Sequence, residues 1–291
     1  MQSRELNSKT DVLNRQPHRS KKYFGLAAFL MMFLWALGTE AMAGPIAIGS
    51  CQVIDKPGSY ELYNNLEAKA GQGNCIVINA DFVTIDLGGY TIIGAGSGAG
   101  ITQARPVNAV TVRNGKVTNF SAGIFLGDNT TVERVQAYKN TGTGISVSDT
   151  SQVKDCLSTH NGGSGIDVGR NGIMTGNIAS YNQGGGLQCG AGSCVITGNT
   201  ATHNSLGIAA YSSVISNNIA NDNARIGIFA PNNIGGAVLS STISNNTVQR
   251  NGENGIFFNC PSSVHGNTVV GNGVNVNSQC VTDKDHNATL P

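Results

Sequence analysis

A spacing of about 21 residues constrains what this chain can fold into more than any other feature of its sequence. A glycine followed by an aliphatic residue recurs eight times, with steps of 23, 21, 21, 21, 21, 20 and 28 residues. These pairs begin at Gly100, Gly123, Gly144, Gly165, Gly186, Gly207, Gly227 and Gly255. An asparagine stands four residues before most of them, and segments such as GNIASYN, GNTATHN and NNTVQRN repeat the unit. A fixed period of this length is typical of repeat architectures.

Each repeat contains short stretches in which apolar and polar residues alternate, a pattern that predicts strands rather than helices. The chain has 39 Gly and 33 Asn among its 291 residues, and both types favour turns over helices. One unit cannot bury its own apolar side chains, but coils stacked about 4.8 Å apart can. We therefore predict an all-β chain, a parallel β-solenoid of roughly eight or nine coils, with asparagine ladders at its turns. One column of its core would comprise Ile124, Ile145, Ile166, Leu187, Ile208, Ile228 and Ile256.

The first 43 residues are predicted to be a secretory signal peptide. Six Lys and Arg residues precede an apolar run at 25–38, which ends in Ala41-Met42-Ala43, a suitable cleavage site. The alternative is an uncleaved membrane anchor, because the apolar stretch 23–39 is at the lower limit of a bilayer span. We expect cleavage after Ala43, hence a secreted, periplasmic or cell-surface protein that leaves the membrane. The remaining chain has 12 Lys and Arg against 14 Asp and Glu and no basic patch, which argues against nucleic acid as a partner.

All seven cysteines lie in the exported part of the chain, where disulfides can form. No C-x-x-C spacing occurs, so we expect no zinc site. Proximity in sequence suggests the pairs Cys51–Cys75, Cys189–Cys194 and Cys260–Cys280, and Cys156 would remain as a buried, inert thiol. The predicted organisation is a signal peptide at 1–43, an N-terminal cap at 44–75, a β-helix at 76–280 and a C-terminal tail at 281–291.

The repeats resemble the right-handed parallel β-helix repeats of the pectin-lyase-like superfamily, of the carbohydrate-binding and sugar-hydrolase type. A Pro-Gly-Ser-Tyr segment at 57–60, followed by VTIDLGGYTI at 83–92, is also similar to the start of many exported β-helix proteins. This resemblance implies a single-stranded right-handed parallel β-helix and a polysaccharide or cell-envelope glycan as partner. It also implies a polysaccharide lyase, glycoside hydrolase or epimerase if the chain is an enzyme. Motifs of such enzymes, including W-x-D-H and D-P-H-D, are absent from the sequence, so catalysis itself stays open.

Four ionisable residues are predicted to cluster on three successive coils. Alignment on the repeat glycines places Asp128, Asp149 and Arg170 in one column, with Asp167 pointing outward nearby. Paired carboxylates hold Ca²⁺ or act as acid and base on a glycosidic bond, and Arg170 would neutralise a uronate carboxylate. We predict Asp149, Asp167 and Arg170 as catalytic residues and Asp128 with Asp149 as a Ca²⁺ site; no other cofactor is indicated. In the alternative, Arg170 only pairs with Asp149 and relieves repulsion between stacked aspartates.

A second column directly precedes the turn asparagines and consists of Lys139, His160, Tyr181, His203, Asp222 and Arg250. We predict Lys139, His160, Tyr181 and His203 as substrate-binding residues, because such a row supplies a general base and a ring for sugar stacking. The alternative is that outward positions on a solenoid are simply polar.

Two functional classes fit this sequence. The first is a protein that binds or processes a polysaccharide, with an acidic glycan as one possibility, and it predicts a groove lined by the residues above. The second is a non-catalytic surface solenoid, adhesin-like or similar to copper chaperones with periplasmic β-helices, and it predicts a flat face. Phe229, Phe257 and Phe258 would either form an exposed aromatic patch or pack under the insertion at 231–237.

Overall fold

Alternating apolar and polar residues form short strands throughout the described part of the chain. The structure is a computed structural model and describes residues 44–190, 192–231, 233–234, 237–238, 240–278 and 288–290. The predicted signal peptide lies outside these residues. Every regular element among the described residues is a strand. A search of the same residues finds no helix of the length and hydropathy needed to cross a bilayer.

The strands are numbered here in chain order. The first sixteen are β1 Ile46–Ile48, β2 Gln52–Ile54, β3 Gly58–Leu62, β4 Leu66–Glu67, β5 Ile76–Ile78, β6 Val83–Asp86, β7 Thr91–Ile93, β8 Ala99–Gln103, β9 Thr111–Thr118, β10 Ala122–Leu126, β11 Thr131–Tyr138, β12 Ile145–Val147, β13 Gln152–Lys154, β14 Leu157–Thr159, β15 Ile166–Val168 and β16 Ile173–Thr175. The others are β17 Ile178–Ser180, β18 Gly185–Cys189, β19 Val195–Thr197, β20 Thr200–Thr202, β21 Leu206–Ala210, β22 Val214–Ser216, β23 Ile219–Asn221, β24 Ile228–Ala230, β25 Asn233–Ile234, β26 Ala237–Val238, β27 Thr242–Ser244, β28 Thr247–Gln249, β29 Asn254–Phe258, β30 Ser263–His265, β31 Thr268–Val270, β32 Val274–Ser278 and β33 Ala288–Leu290.

Three faces run along the solenoid, and each coil contributes to them in the order A, B, C. Face A is an eleven-stranded sheet made of β2, β5, β8, β10, β12, β15, β18, β21, β24, β29 and β32. Faces B and C share a twenty-stranded sheet, and the eight-residue strands β9 and β11 run through both. Face B contains β13, β16, β19, β22 and β27, whereas face C contains β14, β17, β20, β23 and β28.

Neighbouring strands of the three faces pair in parallel, for example β10 with β12 and β12 with β15. The prediction of an all-β, right-handed parallel β-helix is therefore confirmed. It has about ten turns, close to the eight or nine that the repeat count predicted. Strands β1 to β4 lie within the segment predicted as the cap, and the bounds of cap and tail stay predictions.

The aliphatic column predicted for the core is confirmed on the inner side of face A. The strand register places these residues opposite one another on successive coils, and all are fully buried: Ile124, Ile145, Ile166, Leu187, Ile208, Ile228 and Ile256. Burial of each such side chain contributes about 1.5–3 kcal/mol, so the column is a large part of the driving force for stacking. The preceding glycine is required by close packing: a Cβ on Gly165 would lie 2.7 Å from both Asn182 Nδ2 and the Gly186 carbonyl oxygen.

Asparagines form two hydrogen-bonded ladders inside the corners, as predicted. At the corner between faces C and A, the backbone N–H and Nδ2 of Asn161 both donate to Oδ1 of Asn182, at 3.1 and 2.9 Å. The same arrangement links Asn140, Asn161, Asn182, Asn204, Asn223, Asn251 and Asn272. The ladder at the corner between faces B and C comprises Asn177, Asn199, Asn218, Asn246 and Asn267. Polar groups inside the corners therefore have partners from the next coil, as buried polar groups require.

Two of the three predicted disulfides are present, Cys51–Cys75 and Cys189–Cys194. The third involves Cys280, which lies outside the described residues. Cys156 is a buried free cysteine, as predicted. Burial raises the pKa of its thiol to about 12, and its backbone N–H donates to Oδ1 of Asn177, at 3.0 Å. Cys156 thus occupies the last position before the ladder between faces B and C, and it carries no reactive thiolate.

Candidate functional site

One outward residue per coil lines the centre of face A. Because side chains alternate along a strand, this outward residue stands between two neighbours that point into the core. From β10 to β29 the strand register aligns Phe125, Ser146, Asp167, Gln188, Ala209, Phe229 and Phe257. We call these seven residues the face A row. It contains the predicted catalytic residue Asp167 at its third position.

Asp167 is the ionisable residue of the face A row. It is partly buried, and this burial raises the pKa of its carboxyl above the ordinary value of 3.8. Its neighbours in the register are Ser146 and Gln188. The backbone of Gly190 closes one side, because a Cβ there would lie 3.7 Å from Asp167 Oδ1. Asp167 therefore combines a raised proton affinity with access to solvent, which a general acid or a hydroxyl-binding carboxyl needs.

Asp128, Asp149 and Arg170 occupy the corner between faces A and B on three successive coils. Asp128 Oδ1 accepts a hydrogen bond from the backbone N–H of Asp149, at 3.1 Å. Asp149 Oδ1 accepts one from the backbone N–H of Arg170, at 2.7 Å. The carboxylates thus form a ladder with the main chain of the next coil. Among the described residues, the guanidinium of Arg170 forms no ion pair with Asp149, so the predicted charge pairing is replaced by a backbone contact.

The predicted Ca²⁺ site at Asp128 and Asp149 gains no support from this geometry. The described residues contain no group of three or more His, Cys, Asp or Glu side chains that could hold a metal ion. One oxygen of each carboxylate already accepts a main-chain hydrogen bond. Ca²⁺ needs six to eight oxygen ligands, which two aspartates on a convex corner do not supply.

The predicted substrate-binding column forms a stack of rings along the corner between faces C and A. Tyr181 lies between His160 and His203, with ring centroids 5.0 and 4.6 Å away and nearly parallel planes. Tyr138 meets His160 edge-on at 5.6 Å, and Lys139 Nζ lies 5.1 Å from the centre of the Tyr138 ring. We call these five residues the aromatic stripe. Both faces of the Tyr181 ring are covered by imidazoles, so the stripe presents ring edges rather than free faces to a ligand.

The aromatic stripe ends in an ion pair. Arg250 Nε and Nη2 each donate to one carboxylate oxygen of Asp222, both at 2.7 Å. These hydrogen bonds lower the pKa of Asp222. Sequence comparison of the coils missed Tyr138 and Lys116, whose ammonium lies 4.6 Å from the Tyr138 ring centre. Both occupy outward positions of face C. Tyr138 stands one residue before the column, and Lys116 pairs with Gln136, three residues before it. The alternation of β11 was the signal that could have found Tyr138.

Phe125 is a residue of the face A row that the sequence analysis missed. Its side chain is 55% exposed, which is unusual for phenylalanine. At the other end of the row, the rings of Phe229 and Phe257 contact each other, with centroids 5.3 Å apart, and both are partly exposed. Phe258 is buried and belongs to the core. The predicted aromatic patch thus contains Phe229 and Phe257. Aromatic side chains lie at both ends of the row, exposed at Phe125 and partly exposed at Phe229 and Phe257.

Face B carries a second charged cluster, in which the charges are paired. Glu133 Oε2 accepts from Lys154 Nζ at 2.8 Å, and Glu133 Oε1 accepts from Arg134 Nη2 at 2.7 Å. The hydrogen bond from Lys154 is the main cause that lowers the pKa of Glu133. Asp86 likewise accepts from Arg113 Nε at 2.9 Å. With its carboxylates paired to cations, this cluster stabilises the sheet and offers no unpaired catalytic acid.

Parallel coils, three faces and internal asparagine ladders define a parallel β-helix fold. The family model described as right handed beta helix region matches residues 58–195. A model for the periplasmic copper-binding protein NosD matches residues 155–288. The described residues do not fit a copper site, because they hold no metal-binding cluster and Cys156 and Met174 are buried in the core. No curated protein sequence matches the chain.

Solved structures with this fold include enzymes that act on polysaccharides. The chain is similar to the A-module of the Azotobacter vinelandii mannuronan C-5 epimerase AlgE4, with a TM-score of 0.62 and 19% identity over 75% of this chain and 70% of that one. For a mutant of the periplasmic alginate epimerase AlgG, the TM-score is 0.60 at 12% identity, over 82% of this chain and 76% of that one. For the enzymatically active domain of bacteriophage CBA120 tailspike protein 2, it is 0.51 at 12% identity, over 84% of this chain and 41% of that one. At these identities the similarity establishes the fold.

Proposed function

We propose that the protein is an exported β-helix protein that binds or processes a polysaccharide on face A. The observation that carries this proposal is Asp167, a partly buried carboxyl of raised pKa in the middle of an otherwise uncharged row. A carboxyl of this kind serves as a proton donor or binds sugar hydroxyls. Ser146 and Gln188, directly beside it in the register, add neutral hydrogen-bonding groups of the sort that orient a sugar.

The fold neighbours support a glycan as the partner. Two of them are named as epimerases of mannuronan and alginate, and a third is a phage tailspike domain with enzymatic activity. A lyase, hydrolase or epimerase activity of this chain stays a prediction, since similarity of fold does not transfer an activity. In this proposal Asp149 and Arg170 have a smaller part than the catalytic roles that the sequence predicts for them. They flank the face A row at its corner, where Asp149 also holds the backbone of the next coil.

Export to the periplasm or the cell exterior is part of the proposal. The N-terminal 43 residues have the composition of a cleaved leader. Two disulfides, Cys51–Cys75 and Cys189–Cys194, are consistent with an oxidising compartment. NosD, whose family model matches part of this chain, is described as periplasmic. The fold neighbour AlgG is described as periplasmic too.

The aromatic stripe is the second candidate surface. Lys139 is exposed and the ammonium of Lys116 lies 4.6 Å from the Tyr138 ring centre, so a polymer with negative charges would be attracted there. Its weakness as a sugar platform is the stacking itself, because Tyr181 has no free ring face. The non-catalytic alternative, an adhesin-like surface solenoid, requires neither Asp167 nor the stripe.

The test is binding of residues 44–291 to a broad array of polysaccharides, with Asp167→Asn as the diagnostic variant. Asp155→Asn is the matched control, because it makes the same change at an exposed turn between faces B and C. We expect a glycan ligand whose affinity, or whose rate of turnover, falls at least tenfold in Asp167→Asn and stays unchanged in Asp155→Asn. Wild-type protein that retains no glycan would refute the proposal, and so would equal behaviour of the two variants.

A further inference from the structure

We propose that face A binds an uncharged polysaccharide, with the sugar chain running along the solenoid axis between Phe125 and the Phe229–Phe257 pair. This inference rests on the proposed function above and adds to it the class of glycan and its direction on the surface. The sequence instead allows an acidic glycan as one possibility. The fold neighbours that are named as mannuronan and alginate epimerases would also favour an acidic glycan.

The charges on and around the face A row disfavour an acidic chain. The row contains one carboxyl, that of Asp167, and no cation. Asp167 is partly buried, so water solvates a negative charge on it poorly, and this raises the pKa of its carboxyl. A uronate carboxylate laid beside it would add a like charge in the same poorly solvated place. A neutral sugar instead presents hydroxyl groups, which Asp167, Ser146 and Gln188 can all bind.

The corners that border the row do not reverse this balance. On one side, the carboxylates of Asp128 and Asp149 lie beside Arg170, and Arg105 occupies the same corner one coil earlier, so the charges balance. On the other side, Arg225 Nε lies 3.0 Å from Glu253 Oε1, so its charge is already paired. Cation-rich surface lies on the face C side of that corner, where Lys116 and Lys139 lie near the Tyr138 ring at the beginning of the aromatic stripe. An acidic chain would therefore be drawn to that stripe and away from face A.

Exposed aromatic rings mark the ends of the surface. The apolar faces of pyranose rings stack on aromatic side chains, whose exposure to water is otherwise unfavourable. Phe125 supplies one such ring, and Phe229 with Phe257 supplies a wider pair. The register places five strand steps between Phe125 and Phe229, which corresponds to about 24 Å at a spacing of about 4.8 Å. Since both ends lie on one row parallel to the axis, an extended sugar chain along that axis contacts both.

The test compares neutral and uronate oligosaccharides of graded length by calorimetry, using residues 44–291 and three variants. Phe125→Ala and Phe257→Ala each remove one end of the surface, and both side chains are at least partly exposed, so the core is unaffected. Phe82→Ala is the control, because Phe82 is 69% exposed and lies outside the face A row. We expect a neutral oligosaccharide to bind, with affinity rising steeply once its length reaches about 24 Å. Phe125→Ala and Phe257→Ala should each weaken binding of the long oligosaccharide about tenfold or more, and Phe82→Ala should not.

Three results would overturn the inference, and they also separate it from the proposed function. Binding of uronate oligosaccharides in preference to neutral ones, lost in Lys139→Ala but kept in Phe125→Ala, would move the site to the aromatic stripe and leave glycan binding intact. Neutral binding without dependence on Phe125 or Phe257 would refute the direction along the axis. Absence of binding to either class would remove the proposed function together with the inference.

Discussion

Replacing Asn199 by alanine removes one step from the asparagine ladder between faces B and C. Asn199 is 1% exposed, and its Oδ1 accepts hydrogen bonds from the backbone N–H and the Nδ2 of Asn177, at 2.9 and 3.0 Å. Its own Nδ2 donates to the carbonyl oxygens of Met174 and Thr197 and to Oδ1 of Asn218. In Asn199→Ala, both donors of Asn177 lose this acceptor and the Met174 carbonyl loses this donor.

The expected cost follows from these three groups. A buried polar group left without its partner costs about 1–3 kcal/mol. Even at the lower end of that range, Asn199→Ala should reduce the free energy of unfolding by about 3 kcal/mol. Thr200→Ala is the matched control, because Thr200 is the next residue and its side chain points outward from β20. A change at such an outward-facing, partly exposed position should stay within about 0.5 kcal/mol.

The assay is urea unfolding of residues 44–291 followed by far-ultraviolet circular dichroism. Hydrogen exchange adds a local readout, since the Asn177 backbone amide should exchange faster in Asn199→Ala and at the wild-type rate in Thr200→Ala. A stability loss below about 1 kcal/mol, with unchanged exchange at Asn177, would refute the conclusion that the ladder satisfies buried groups.

Four further predictions concern ionisable and sulfur-containing side chains. Because burial raises the pKa of Asp167, its ionisation disfavours the fold above its ordinary pKa of 3.8, so Asp167→Asn should be more stable than wild type at neutral pH. This gain should vanish below pH 3.8 in pH-dependent thermal unfolding, and a gain that persists there would contradict electrostatic desolvation as its cause. The pKa of Glu133 is lowered chiefly by the hydrogen bond from Lys154, so this contact stabilises the fold above the ordinary value of 4.5 and is lost as the pH falls through the lowered pKa. Lys154→Met should therefore lose up to about 1 kcal/mol at pH 7, and urea unfolding should show the two proteins converging in acid; a loss that does not depend on pH would indicate lost packing instead. Cys156→Asn should extend the ladder by one step, because an Asn Oδ1 would replace Sγ as the acceptor of the Val135 N–H, and we expect a gain of about 1 kcal/mol in urea unfolding. In the wild type, iodoacetamide at pH 8 should label Cys156 only after unfolding, since its thiol has a pKa of about 12; rapid labelling of the folded protein would show that the thiol is accessible.

The regular part of the fold could be predicted because each coil repeats one local solution. Gly165 and its equivalents recur because a Cβ would collide with the next coil, and the following aliphatic residue recurs because it fills one column of the core. Asparagines recur where the corner backbone needs partners. These requirements are the same in every coil, so they leave a period in the sequence.

The candidate site could be predicted only in part. The column of Asp128, Asp149 and Arg170 follows from counting residues, but the hydrogen bonds that its carboxylates accept from the main chain depend on the rotation of each turn. Phe125 was missed, although the alternation that places Asp167 outward also applies to β10, where Ile124 and Leu126 point inward. The stacking of Tyr181 between two imidazoles also depends on side-chain rotation, which spacing does not specify.

The sequence by itself determined the strand type, the period, the core columns and the asparagine ladders, because these arise from contacts that every coil makes with the next. Only the tertiary structure decided which ionisable groups are buried, paired or free. The raised pKa of Asp167, the occupied ring faces of Tyr181 and the exposed ring of Phe125 each occur once. They depend on neighbours about 21 residues away in both directions, and a single occurrence leaves no repeating pattern in the chain.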